Sequence, residues 1–227
     1  MLTLIPYALL LLLSGALLLV WLRWRAAARA DFIRSYMFPP GLLEKLVKLR
    51  PDLTLKDRQL VARALRQFFL VYHKSGHKQV SMPSQVVDEL WHEFILYTKN
   101  YQAFCQKAFG RYMHHTPAAV LGANQRSNDG LRRTWWFACL EENINPRRAT
   151  RLPLLFALDA KWNLSDGFRY EADCAALRKD GNGSVYCGGD FLGGSAADTG
   201  NSWFSDSFES GSADSGDSGC SGGCGGD

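Results

Sequence analysis

A long apolar run at the start of the chain constrains the fold more than any other feature. Residues Leu2–Leu22 read LTLIPYALLLLLSGALLLVWL and carry no charged side chain. A helix of this length rises about 32 Å at 1.5 Å per residue, which matches the roughly 30 Å hydrocarbon core of a bilayer. Pro6 and the Ser14-Gly15 pair are tolerated in membrane helices. The run therefore predicts one transmembrane helix, which with its flank occupies residues 1–25.

Positive charges follow the apolar run and predict its orientation. Arg23, Arg25 and Arg29 come directly after it, and Trp21 and Trp24 are suited to the membrane interface. The positive-inside rule places such a flank in the cytoplasm. We therefore expect a single-pass membrane protein with its N-terminus outside and its C-terminal domain in the cytoplasm. A cleaved leader is the alternative, although a signal peptide would carry positive charge ahead of its apolar segment.

The last part of the chain, residues 181–227, differs from the rest in composition. It holds 14 of the 21 glycines and seven acidic residues, but no lysine or arginine. A segment of this kind buries too little apolar surface to offset its conformational entropy. We expect a disordered Gly/Ser/Asp-rich tail, whose aromatic residues could contact protein partners. Cys220 and Cys224 form an isolated C-x3-C pair there, which is a weak metal, disulfide or lipidation signal.

The rest of the chain is basic. Residues 1–180 carry 26 basic and 15 acidic side chains, a net charge of +11. Such a charge suits an anionic partner, either the headgroups of the membrane lipid bilayer or nucleic acid, and a solvated surface screened by the acidic tail is the alternative. The sequence contains no recognised nucleic-acid-binding motif, so no nucleic-acid partner is expected.

Apolar periodicity predicts an all-α compact domain over residues 26–180. No long run alternates with period two, so no sheet is predicted. Thr54 and Asp57 form a capping box that opens a long helix. The predicted helices are a continuation of the first helix to about Met37, then Leu42–Leu49, Thr54–Tyr72, Ser84–Phe109 with a bend at Asn100, Leu131–Asn143, Leu152–Trp162 and Phe168–Leu177.

The stretch Ser84–Pro117 holds the densest chemistry, and it suggests a divalent metal ion as cofactor. Asp88 and His92 lie one helical turn apart, so their side chains are stacked on one helix. His114 or His115 would complete a set of two imidazoles and one carboxylate. At most one of these adjacent histidines can reach the same point. The His-Glu-x-x-His motif of metalloproteases is not completed, because Leu96 occupies its last position.

A structural role is the competing interpretation of the same residues. Asp88 would then orient His92, and Trp91 would anchor the helix in the core. Cys105 falls on the same apolar face, which is typical of a buried, inert thiol and argues against a Cys–His nucleophile.

Eight positions in this stretch match one family block without a gap: Trp91, His92, Leu96, Tyr101, Cys105, Phe109, Gly110 and Arg111. On these residues the chain resembles the plant glycine-rich domain proteins and their bacterial relatives. Asp88 and the segments TWWFACLEENINP and LPLLFALDAKW extend the similarity over about residues 40–165. Phe94 is a departure, because the plant block has a second His there. The resemblance implies a structural motif of Trp91, Tyr101, Cys105 and Gly110, and no particular reaction.

The sequence as a whole predicts a membrane-anchored, non-enzymatic interaction or scaffold protein. Its protein partners would bind the tail or the helical domain. The alternative is a metal-dependent enzyme or metal-binding protein centred on Asp88, His92 and His115.

Overall fold

A computed structural model of the chain describes residues 5–115, 129–172 and 186–187. Within these ranges the protein is helical, as expected. Its elements are α1 (Ile5–Ser35), α2 (Leu42–Leu49), α3 (Leu55–Lys74), α4 (Gln85–Leu96), α5 (Thr98–Phe109), α6 (Asp129–Glu141), α7 (Leu154–Lys161), β1 (Tyr170–Glu171) and β2 (Tyr186–Cys187).

Helix α1 has two parts with opposite surroundings. The described side chains from Leu9 to Ala28 are all exposed, whereas burial begins at Arg29 and both Ala30 and Ile33 lie in the core. Within the described residues, α1 is the one helix long and apolar enough to cross a membrane. The predicted continuation of the first helix towards Met37 is confirmed, since α1 runs unbroken to Ser35.

Helix α3 begins with the predicted capping box. The Thr54 amide donates to Asp57 Oδ2 at 3.1 Å, and the Asp57 amide donates to Thr54 Oγ1 at 3.3 Å. The helix packs against α1, α4, α6 and α7, so it is the central element of the domain. Its buried Phe68 and Phe69 pack on Trp91, with ring centroids 5.1 Å and 6.1 Å away.

The predicted single helix from Ser84 to Phe109 is two helices. The chain leaves helical geometry at Tyr97, where ψ is 59°, and resumes in α5. The break therefore falls at Tyr97 and not at Asn100, which lies inside α5. Aromatic packing explains the kink, because Phe94 before it and Tyr101 after it meet edge to face at 5.2 Å.

The predicted helix Phe168–Leu177 is wrong over its described part. Residues 168–172 are not helical, and Tyr170–Glu171 pairs with Tyr186–Cys187 as two short parallel strands. A buried carboxylate holds this segment in place, since the Phe168 amide donates to Asp159 Oδ2 at 3.0 Å. Within the tail predicted to be disordered, β2 alone is described. The remainder of that prediction, with Cys220 and Cys224, lies outside the described residues.

Candidate metal site

A buried carboxylate fixes the start of α4, the helix that carries Asp88 and His92. Asp159, only 2% exposed, accepts hydrogen bonds from the Ser84 hydroxyl at 2.7 Å and the Gln85 amide at 2.7 Å. Ser84 in turn caps the helix by accepting from the Val87 amide. Because an anion at a helix N-terminus satisfies free amides and complements the helix dipole, Asp159 anchors α4 against α7.

Asp88 and His92 are stacked on α4 as the sequence predicts. His92 Nδ1 lies 3.5 Å from Asp88 Oδ2. The Asp88 side chain is 20% exposed and the His92 side chain 52% exposed, so the pair sits at the edge of the core with His92 towards solvent.

The chain after α5 turns back towards this pair. Gly110 ends α5 with φ at 75°, a left-handed conformation that glycine adopts without a steric penalty. Beyond the turn, the Tyr101 hydroxyl donates to the Met113 carbonyl at 2.6 Å, and Trp91 Nε1 donates to the Tyr101 hydroxyl at 3.1 Å. These two buried hydrogen bonds fix the backbone two residues before His115.

His115 completes the cluster. Its Nε2 lies 2.9 Å from Asp88 Oδ1, and its side chain is 11% exposed. Its ring packs edge-on against Trp91 at 4.5 Å and lies 4.1 Å from the His92 ring. The ligand atoms of Asp88, His92 and His115 all lie within 4.8 Å of one another.

The donor set and its spacing fit a transition-metal ion. Zinc binds imidazole nitrogen and carboxylate oxygen at about 2.0–2.2 Å, so neighbouring ligand atoms in a tetrahedral site lie about 3.3 Å apart. His92 Nδ1 lies 3.5 Å from Asp88 Oδ2, and His115 Nε2 lies 2.9 Å from Asp88 Oδ1. The three ligand atoms lie within 4.8 Å of one another, so the side chains would move closer together around a common ion.

His114 is not part of the cluster, although the sequence offered it equally with His115. It is exposed, and its ring stacks against Tyr112 with the centroids 5.0 Å apart. Of the two adjacent histidines, His115 is the one that lies against Asp88.

The four motif residues surround the site as structural parts. Trp91 and Tyr101 form the hydrogen-bonded chain to Met113, and Gly110 supplies the turn. Cys105 is buried, and burial raises the pKa of its thiol. Burial also raises the pKa of the Cys139 thiol to about 12. Neither is a thiolate near neutral pH, which argues against a cysteine nucleophile at these positions.

A second histidine pair, which sequence reasoning did not single out, lies at the C-terminal end of α3. The His73 and His77 rings are 5.8 Å apart. Burial is the largest cause that lowers the pKa of both imidazoles. The positive charge of Arg29 lowers both pKa values further, and that of Arg111 lowers the pKa of His77. No carboxylate is among these neighbours. Their spacing of four residues was the sequence signal that could have indicated that the two imidazoles lie close together.

A cleft of about 420 Å³ lies where α1 ends, between the segment 34–41 and helices α2 and α3. Arg66 lines it, donating to the Tyr36 carbonyl at 3.2 Å with its guanidinium over the Phe38 ring. The cleft shares no residue with the Asp88 cluster, so it is a separate feature of the surface.

The fold and the site together define a helical protein with an exposed apolar N-terminal helix segment and an Asp–His–His cluster. The chain belongs to the UCP032817-like family, whose model matches residues 28–191. The match begins where α1 starts to pack on the domain, and it includes all residues of the cluster. No curated protein and no solved structure matches the chain.

Proposed function

We propose that this protein is a membrane-anchored metal-binding protein. Asp88, His92 and His115 hold one divalent transition-metal ion, and α1 tethers the helical domain to a bilayer. The observation that supports metal binding is the convergence of three ligand atoms from two chain segments to within 4.8 Å.

The surroundings of the cluster favour an ion with open coordination positions. Three protein ligands leave room for water or another small ligand. His92 is the exposed member, so the open side faces solvent. Trp91 and the Tyr101–Met113 hydrogen bond orient His115 from the buried side, as outer groups do in known metal sites.

The test is metal content and zinc affinity of the purified full chain. Wild-type protein should carry or take up about one ion per chain, and both His92→Gln and His115→Gln should lose it. His114→Gln is the matched control, because it removes an adjacent imidazole that lies outside the cluster. Equal zinc affinity in His114→Gln and His115→Gln, with both proteins folded, would overturn the assignment.

The anchor part of the proposal rests on the first part of α1. Twelve large apolar side chains between Leu9 and Trp24 are at least 47% exposed. At about 1.5–3 kcal/mol for each such side chain buried, transfer to hydrocarbon stabilises this surface by roughly 20 kcal/mol or more. The unbroken passage of α1 into the core at Ala30 and Ile33 supports a retained anchor over a cleaved leader.

Alkaline carbonate extraction of membranes tests the anchor. Leu12 and Leu17 are 73% and 70% exposed near the middle of the apolar run. Because an arginine at a membrane helix centre costs about 2.5–3.5 kcal/mol, Leu12→Arg with Leu17→Arg should weaken insertion and lower the fraction of protein that resists extraction. Leu49→Arg with Leu55→Arg is the control, since these leucines are exposed on the domain. Release of both variants alike would contradict membrane insertion through α1.

The proposed topology has the N-terminus outside and the helical domain in the cytoplasm. The arginines after the apolar run support it through the positive-inside rule. Labelling of Cys224 by an impermeant maleimide tests it: the thiol should react only when the cytoplasmic side is open. Labelling from the outside of intact cells would show the opposite topology.

A metal-free interaction module is the second candidate, and one contact favours it. The His115–Asp88 hydrogen bond of 2.9 Å satisfies both groups without an ion. In that case the domain is a non-enzymatic scaffold at the membrane, related to the plant glycine-rich domain proteins through the block from Trp91 to Arg111. His92→Gln then leaves fold and partner binding intact, and neither protein binds metal.

A further inference from the structure

We infer that the ends of α3 and α5 nearest the anchor helix bind the headgroups of anionic phospholipids. The surface consists of Arg25, Arg29 and Arg111, and we call it the cationic end surface. This inference rests on the proposed membrane anchor and adds the lipid class that the anchored domain contacts.

The three arginines lie close together around the end of α3. Arg29 and Arg111 both act electrostatically on His77, which follows that helix, and Arg25 acts on Arg29. None of the three forms an ion pair with any described residue. By contrast Lys74, at the same end of α3, is paired with Glu141. The cationic end surface therefore carries positive charge that the described part of the chain does not neutralise.

The surface lies at the depth of the headgroups. His73 Nε2, at the end of α3, is 3.1 Å from the Ala26 carbonyl of α1, and Arg29 donates to the Phe109 carbonyl at the end of α5. Ala26 is four residues beyond Leu22, a rise of about 6 Å. The headgroup region on each side of a bilayer is about 5–8 Å thick, so the end of α3 meets the layer of lipid phosphates. Arg29, which contacts the end of α5, is seven residues beyond Leu22, a rise of about 10 Å, and lies at the outer edge of that layer.

Close packing holds Arg29 in a fixed position there. A Cβ atom at Gly110 would lie 2.8 Å from Arg29 Nη2, so the guanidinium rests directly against the glycine backbone. Arg25 is held from the membrane side, with its guanidinium 5.2 Å from the centre of the Trp21 ring. Guanidinium groups beside an apolar helix suit a lipid phosphate, which bears its negative charge where the acyl chains begin.

The test uses the full chain reconstituted into bilayers of equal parts phosphatidylglycerol and phosphatidylcholine. After mild extraction, native mass spectrometry measures how much of each lipid stays bound. Wild-type protein should retain more phosphatidylglycerol than phosphatidylcholine. Because one cation near the surface contributes about 1 kcal/mol, Arg25→Gln with Arg111→Gln should lower that preference about fivefold for each arginine removed.

The control is Lys56→Gln with Lys161→Gln, which removes the same charge at the opposite end of α3. Lys56 is in the first turn of that helix, about 26 Å from His73, and Lys161 acts on Asp57 in the same turn. The control should keep the wild-type lipid preference. An equal preference in the arginine variant and the control overturns the inference, provided that both stay integrated on carbonate extraction. Loss of integration in the wild type would instead overturn the anchor, and with it this inference.

Discussion

The domain contains two pairs of neighbouring histidines, and the charges around the two pairs have opposite signs. His92 and His115 lie on either side of the Asp88 carboxylate, with their rings 4.1 Å apart. His73 and His77 lie 5.8 Å apart among cations, and the buried nitrogens His73 Nδ1 and His77 Nε2 have no hydrogen-bond partner among the residues that the structure describes. A carboxylate attracts a metal ion or a proton, whereas neighbouring guanidinium groups repel both. The neighbours, and not the imidazoles themselves, decide what each pair can bind.

The largest expected difference between the pairs is in zinc affinity. His115→Gln should weaken zinc binding on the order of 100-fold, since zinc sites of about four ligands gain about 10–16 kcal/mol in all. His73→Gln with His77→Gln should leave the affinity within about threefold of the wild type, because neither residue is near the cluster. Competition with a chelating dye measures both. A larger loss of zinc affinity in the His73/His77 variant than in His115→Gln would show that the metal binds at His73 and His77 instead.

Gly110 connects the two regions, since it turns the chain towards His115 and supports Arg29. Gly110→Ala should destabilise the domain by about 2 kcal/mol, through its positive φ and the close approach of Arg29 Nη2. Gly76→Ala is a matched control, because Gly76 has φ at 70° but nothing within 4 Å of its added Cβ. Thermal unfolding should show the greater loss for Gly110→Ala. Equal losses would mean that the Arg29 contact contributes nothing.

Acid should destabilise the folded protein through the His73–His77 pair. The pKa values of His73 and His77 are lowered, so these imidazoles stay neutral in the folded protein while the unfolded chain takes up protons near pH 6.5. Their contribution is complete above that pH and is lost as the pH falls towards the lowered pKa values. The melting temperature of metal-free protein should fall between about pH 7.5 and pH 5.5, and less so in His73→Gln with His77→Gln. An identical pH dependence in both proteins would contradict the lowered pKa values.

The smallest effect is expected at His114. Its side chain is exposed and contacts only the Tyr112 ring among the contacts that the structure describes. His114→Gln should change stability by less than about 0.5 kcal/mol and leave zinc affinity unchanged. A large effect on either quantity would show that His114 exchanges with His115 in the site.

Sequence patterns predicted the local parts of this structure and missed those set by distant contacts. The Thr54–Asp57 capping box and the Asp88–His92 stack follow from spacings of three and four residues, which helix geometry fixes. The choice of His115 over His114 depends on the Gly110 turn and the Tyr101–Met113 hydrogen bond, which no short-range pattern encodes.

Asp159 illustrates the same limit. It stands alone among apolar residues in LPLLFALDAKW, and that isolation was the available signal of a buried carboxylate. Its partners, Ser84 and Phe168, come from two other parts of the chain. The error in the helix predicted from Phe168 has this origin, because a hydrogen bond to a side chain nine residues earlier holds the backbone there in a non-helical form.

X-ray absorption spectroscopy of the zinc-loaded full chain tests the central claim most directly, because it counts the imidazoles bound to the ion. Two imidazole ligands and oxygen donors are expected in the wild type and in His114→Gln, and one imidazole in His115→Gln. Spectra without imidazole scattering, or with two imidazoles still bound in His115→Gln, would contradict a metal centre formed by Asp88, His92 and His115.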